Sequence, residues 1–189
     1  MMTPDIDHKP TVIRRLWQSD KAALVEFFQK LDQPTRRLRF CGSVSDGFLK
    51  TYAEGLMAAD TTAYGAFCDQ ELHGIAELRL INDKWPRKAE AAFLVEPAWQ
   101  EQGIGDALFD RILTASQNRN IKSITMLCLR ENKRMQHLAK KHDAAITYTA
   151  GESEAALNLP FPTPMTLFYE VFTDTRSYLQ IMFPALAPR

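Results

Sequence analysis

The sequence predicts a mixed α/β domain around one central sheet, and three observations carry that reading. Apolar runs of strand length occupy residues 62–68, 72–81, 89–95 and 121–129. Segments with apolar residues at helical spacing lie before, between and after them, at residues 20–31, 103–118 and 132–141. Three strands follow one another before the next helix, so the chain does not alternate as a repeating βαβ fold would. Its 189 residues suffice for one domain with a sizeable core and are too few for two ordinary ones.

Each element has a local reason. Residues 11–15 read as a short strand. Ser19 or Asp20 then caps a helix in which Leu24, Phe27, Phe28 and Leu31 fall at i, i+3, i+4 and i+7. Pro34 and the basic cluster Arg36, Arg37 and Arg39 break that pattern, and residues 32–39 read as a loop. A second helix follows Ser45, with Leu49, Tyr52, Ala53 and Leu56 on one face. Asp69-Gln70-Glu71 is a hairpin turn joining 62–68 to 72–81, and His73 beyond it reads as a half-exposed sheet residue. Residues 82–88 form a polar loop. Residues 89–95 are apolar except for Glu90, which marks a central strand, and Pro97 stops it because proline cannot donate to a ladder.

From Gly103 to about Asn118 a helix presents Leu108, Ile112 and Ala115 on one face. Residues 121–129 are a nearly continuous apolar run, the pattern of a strand buried on both sides. Asn132 opens a further helix with Met135, Leu138 and Ala139 inward and Lys133, Arg134, Lys140 and Lys141 toward solvent. Residues 145–150 and 155–159 make a hairpin. A proline-rich linker at 160–164 leads to residues 165–182, which hold one more helix or strand.

Composition narrows the function classes. Lys plus Arg equals Asp plus Glu at 23 each, which argues against a nucleic-acid surface with its usual basic excess. The first ten residues contain Asp5 and Asp7 and no apolar run, so no signal peptide is expected there. No stretch approaches the roughly 18 apolar residues of a membrane helix, and no membrane partner is expected. Cys41, Cys68 and Cys128 are widely spaced and odd in number, and Cys68 and Cys128 read as buried free thiols. Neither they nor His8, His73, His137 and His142 form a metal-ligand pair, so no metal is expected. A reducing cytoplasm fits this cysteine usage.

The chemistry concentrates in residues 89–108. A strand runs into Gln100-Glu101-Gln102-Gly103-Ile104-Gly105, which opens a helix. Amides at a helix start lack intrahelical partners, and the dipole there favours an anion. Gly103 and Gly105 let the main chain curl close to a phosphate without a Cβ in the way.

These residues resemble the GNAT superfamily of N-acetyltransferases. That family's signature is Gln or Arg, two residues, Gly, one residue, then Gly or Ala, after a strand ending in Val-x-Pro. Gln100, Gly103 and Gly105 match it, as do Val95, Pro97, Trp99 and Ala107-Leu108, and Asn132 matches the Asn that opens the helix after the next strand. The likeness runs from about residue 11 to 159, leaving 160–189 as a C-terminal extension of a single domain. The Arg37-Leu38-Arg39-Phe40 stretch, the strand beginning at Ala89-Glu90 and the Asn132 helix look most like the bacterial protein-lysine acetyltransferase branch.

The resemblance implies a mixed sheet splayed into a V, helices on both faces, and acetyl-CoA lying in the V as co-substrate. Main-chain groups of Leu94 and Val95 would pair with the pantetheine arm. The segment Gln100, Gln102, Gly103, Ile104, Gly105 and Asp106 would hold the pyrophosphate, with the Asp106 side chain toward solvent. Asn132 would touch the pantetheine or position its helix. Glu90 would be the general base, since a lysine ammonium with a pKa of about 10.4 must lose a proton before it attacks. The other reading of Glu90 is a sheet glutamate paired with an arginine such as Arg79; Glu77 and Glu96 are rival bases. The Leu94 N–H would steady the acetyl oxygen.

Two departures matter. The tyrosine that many members carry seven residues after the Asn is Ala139 here, and Asp143-Ala144 replaces the usual Gly-Phe. The thiolate would then leave unassisted, or with help from water or another side chain. The arginine cluster would dock an acidic substrate or the CoA 3′-phosphate, or be a solvated loop; Trp85 and Trp99 would flank a substrate groove or be packing anchors. The acceptor is a protein lysine, or else a small amine, or the chain is a silent acyl-CoA sensor. Monomer and homodimer are both open.

Overall fold

Turn chemistry starts the sheet. Asp69 and Gln70 both take positive φ, at 50° and 69°, the handedness that a two-residue hairpin needs to match strand twist. The turn joins β2 (Thr61–Cys68) to β3 (Glu71–Asn82), and β4 (Arg87–Val95) pairs with the far side of β3. The computed structural model describes residues 11–57 and 60–182. β1 (Val12–Arg15) pairs with β2 and forms one edge. Beyond β4 come β5 (Ile121–Leu129), β7 (Glu152–Asn158) and β6 (Ala145–Tyr148), giving the order β1-β2-β3-β4-β5-β7-β6. Only the β4–β5 pair is parallel.

Helices cover both faces. α1 (Lys21–Lys30) and α3 (Asp46–Gly55) bury Leu24, Phe27, Phe28, Leu49 and Ala53 with Ile75 and Leu94 on one face. α4 (Ile104–Asn118) and α5 (Lys133–Lys141) lie on the other, with Leu108, Phe109, Ile112 and Ala139 against Ala76, Leu78, Ala89 and Ala91. The run of alanines keeps this face of the sheet shallow, which lets α4 pack closely. Cys68 and Cys128 are buried, and Cys41 is half-buried. His73 is buried rather than half-exposed: Trp99 stacks on it at 3.9 Å and Glu96 accepts at Nδ1 at 2.8 Å. Trp99 is thus a packing anchor.

The structure corrects three further expectations. Residues expected as a loop form α2 (Gln33–Phe40): Asp32 caps it through Thr35 N–H at 2.8 Å, and Pro34 sits in the first turn, where its missing N–H costs no helical bond. Its arginines are engaged rather than solvated. Arg36 is buried and donates to Leu31 O, Gln29 O and Asp46. Arg39 reaches Glu77 at 2.8 Å and the Tyr52 hydroxyl at 2.7 Å, and Tyr52 in turn donates to Glu77. Arg37 pairs with Glu131. The second correction is β5, which is buried on one face only: Ile124, Met126 and Cys128 are covered, while Leu127 is 50% exposed on the other.

The third concerns Asp106, expected to face solvent. It pairs with Lys141 at 2.9 Å and His142 at 3.3 Å, tying the start of α4 to the end of α5. The hydrogen bond from Lys141 holds its carboxyl below the usual range, so its charge is compensated locally.

The extension is α6 (Pro164–Met182), which packs on α4 and β1. Glu170 fastens it, accepting from Asn118 at 2.5 Å and Arg119 at 2.8 Å. Burial pushes the Glu170 carboxyl up, but these bonds outweigh it and hold the group below its ordinary value. A depressed carboxylate adds stability above its unfolded pKa of about 4.3 and loses it as pH falls through the lower folded value. Glu170→Gln should therefore lower the thermal midpoint at pH about 6, and the two proteins should converge as pH falls through the lowered folded value. Thermal unfolding of both across that range checks this.

Candidate active site

The parting of β4 from β5 makes the site. Their parallel pairing ends at Glu90 and Thr125, yet the strands run on to Val95 and Leu129, so the sheet splits into a V. A groove of about 600 Å³ lies in and beside the V. Phe93, Leu94 and Val95 line it from β4, Gln100, Glu101, Gly103, Gly105 and Asp106 from the loop and α4, Asn132 and Leu138 from the start and body of α5, and Leu38 and Arg39 from α2. Gln102 and Ile104 do not line it, and Ile104 is buried in the core.

Ladder parity decides which main-chain groups face the gap. The β3–β4 register is regular from Gly74↔Val95 to Leu80↔Ala89, and Glu96 N–H donates to His73 O at 2.9 Å. In an antiparallel ladder alternate residues bond to the partner, so Leu94 points its N–H and C=O at Ile75. Phe93 and Val95 point theirs into the V. Leu94, the expected donor, lines the groove but spends its main chain on β3, and the N–H that faces the gap beside it is that of Phe93. Nothing in the sequence distinguishes the two, because the parity follows from the register of β3.

The loop is held by its own side chains. Gln100 Nε2 donates to Val95 O at 2.8 Å, and Gln102 Nε2 to Ala98 O at 3.3 Å. Gln100 Oε1 is buried without a partner. Gly103 takes φ 79°, the left-handed region, and Ile104 begins α4 behind it with no side chain capping that end. A Cβ on Gly105 would stand 3.6 Å from Leu138, so the gap between α4 and α5 stays open because that residue has none. Lys133, Arg134, His137 and Lys141 surround the mouth.

Asn132 Oδ1 caps α5, accepting from Met135 N–H at 3.1 Å. Asn132→Ala should cost about 1 kcal/mol of stability, as loss of such a cap does, measurable by denaturant unfolding. Ala139 is buried in the core, so α5 offers no hydroxyl at that position.

The three candidate carboxylates now separate. Glu77 has both oxygens occupied, one by Arg39 and the other by Tyr52. Glu96 is taken by His73. Glu90 is half-buried at the last paired position before the strands part, and no hydrogen bond or ion pair reaches its side chain among the described residues. Arg79 lies directly opposite in the ladder and is exposed, without an ion pair to it. Cys41 is near enough to feel the Glu90 charge, and burial pushes its thiol and that of Cys128 up, which makes both poor nucleophiles.

A splayed sheet, an uncapped helix start behind a left-handed glycine and a basic mouth fit a nucleotide pyrophosphate with an extended arm. Residues 20–143 match the family model of the acetyltransferase (GNAT) family. The chain belongs to that family. It is an acetyltransferase, and acetyl-CoA is its co-substrate.

Solved structures agree at the level of fold. The GNAT domain of PAT from S. lividans superposes with a TM-score of 0.67 at 20% identity, over 78% of this chain and 89% of that one. The PaiA N-acetyltransferase of Thermoplasma acidophilum, in complex with coenzyme A, gives 0.59 at 18% identity, over 79% and 99%. Spermidine N-acetyltransferase from Vibrio cholerae, with CoA and spermine, gives 0.61 at 18%, over 78% and 95%. No curated protein matches the sequence. Among the described residues no group of His, Cys, Asp and Glu could hold a metal ion, and no helix is long and apolar enough to cross a membrane.

Proposed function

We propose that this acetyltransferase moves the acetyl group directly to the side-chain amine of a protein lysine, with Glu90 as general base. The observation that carries the reading is the unengaged Glu90 carboxylate at the apex of the V. An open face beside it supports a macromolecular acceptor. On that face Leu127 is half exposed, and Glu152 and Glu154 of β7 lie opposite Leu129 and Leu127, exposed to solvent. Their charge suits a cationic acceptor. The likeness of residues 37–40 and of the Ala89-Glu90 strand to the protein-lysine branch points the same way.

Acetyl-CoA supplies the acetyl thioester. The amides of the Gly103–Asp106 turn, aided by Lys133 and Arg134, hold its pyrophosphate, and the main chain of Phe93 and Val95 lies along the arm. The Val95 carbonyl already accepts from Gln100, so Val95 offers its N–H. Glu90, directly or through water, takes one proton from the ammonium. The freed amine nitrogen bonds to the acetyl carbon while the Phe93 N–H steadies the carbonyl oxygen. The carbon–sulfur bond breaks, and the second nitrogen proton offsets the thiolate. A thiol pKa near 8.5 makes departure feasible without a tyrosine at Ala139. Glu90 returns its proton to solvent.

An acceptor panel tests the substrate. Thiol release from acetyl-CoA is followed with small primary amines, polyamines and folded lysine-bearing proteins, and products are located by mass. Faster release with proteins, with acetyl groups on lysine Nζ, is the expected result. Release confined to small amines would establish the other substrate class, and binding without release would make the chain a sensor.

A further inference from the structure

α6 is turned inside out. Its face toward the domain is polar: Thr166, Glu170, Thr173, Asp174 and Ser177 are buried or half-buried, with Ser177 against Ile13 O and Thr173 bonded to Arg111. Its outer stripe is apolar. Met165, Phe168, Val171 and Phe172 are 73%, 66%, 66% and 54% exposed, and Leu167, Tyr169 and Tyr178 flank them at about half. Three residues before the helix, Phe161 stacks on Trp85 at 6.2 Å, and both are 64% exposed. A surface helix normally shows the reverse pattern. The helix follows the residues 20–143 matched by the family model, so the feature belongs to the extension.

We propose that the outer face of α6 is the interface of a homodimer, with α6 packed against its own copy across a two-fold axis. Size supports this occupant. Aromatic side chains carry ~150–250 Å² each, so the stripe and its flanks leave on the order of 800 Å² in water. That exceeds the roughly 300–600 Å² patch of ordinary monomers and matches the ~800 Å² per partner of a stable interface. A stripe at i, i+3, i+4 spacing is self-complementary in the antiparallel arrangement that a two-fold requires.

Charge argues against a lipid surface. Interfacial helices carry lysines and arginines on the polar side, whereas the charged residues of α6 are Glu170, Asp174 and Arg176. Residues 1–10 hold only Met1, Met2 and Ile6 as large apolar side chains, too few to cover such a face.

Sedimentation equilibrium of the full chain tests the proposal. At tens of micromolar the wild type should sediment at twice its mass of 21.5 kDa. Phe168→Glu/Phe172→Glu should weaken association at least ~100-fold, given four aromatic side chains removed per dimer, with the helical circular dichroism and CoA affinity retained. A monomeric wild type would overturn the proposal, as would a dimer that the double variant leaves intact. Flotation of a monomeric wild type with phosphatidylcholine–phosphatidylserine vesicles would assign the face to lipid instead.

Discussion

Glu90→Gln should lower turnover about 100-fold or more, the contribution a positioned general base makes, while acetyl-CoA affinity stays unchanged. Both halves follow from placement. Glu90 lies at the last β4–β5 pair, on the face shared with Arg79 and away from the Gly103 turn. Its carboxylate has no ion pair to lose, so removing the charge leaves no buried cation behind. Glu77→Gln behaves differently. It frees Arg39, which is buried and bonded to it, so its first effect should be on stability. Comparing kcat with the unfolding midpoint in the two variants separates base from scaffold. Unchanged turnover in Glu90→Gln with a good acceptor would remove it from the mechanism.

The second large effect is expected at the turn. Gly103→Val and Gly105→Val should each weaken CoA binding, for different reasons. At Gly103 a Cβ would meet nothing within 4 Å, so space is not the obstacle; φ 79° is. A β-branched residue there costs roughly 1–2 kcal/mol or forces the loop into another conformation, turning its amides away from the phosphates. At Gly105 the backbone is helical and the obstacle is the gap to Leu138, 3.6 Å from the added Cβ. Valine would fill that gap, and an affinity loss of at least ~100-fold, or about 2.7 kcal/mol, is expected. Gly105→Ala makes only an ordinary contact and should retain most of the affinity. Titration with CoA reads all three, and normal binding by both valine variants would refute the phosphate turn.

The parts of the fold legible in the sequence were those set by local pattern. Strand runs bounded by Asp69-Gln70 and Pro97, and the helix after Gly103, are written in spacing and turn residues. What was not legible depends on partners far along the chain. α2 looks like a loop because its eight residues are mostly polar, and its arginines are engaged by partners outside the helix, Asp46, Glu77 and Glu131 among them. Phe93 and Leu94 look alike until the β3 register fixes which faces the V. β5 reads as buried on both sides because Leu127 is apolar, although it is half exposed. Leu38 and Arg39 stood out as part of a basic stretch, but that they form a groove wall depends on the fold of α2.

The proposed mechanism rests on direct transfer at the V, from acetyl-CoA to an amine with no acetyl-protein formed on the way. Cys41, near Glu90, is the group through which a relay would pass, and burial raises its pKa. The most direct measurement is a single turnover of the protein loaded with acetyl-CoA and mixed with a lysine-bearing acceptor. Free thiol, acetylated acceptor and the intact mass of the protein are followed together. Direct transfer requires one thiol released for each amide formed, with the protein's mass unchanged throughout. Transient acetylation of the protein before amide appears, or thiol release without amide, would contradict it.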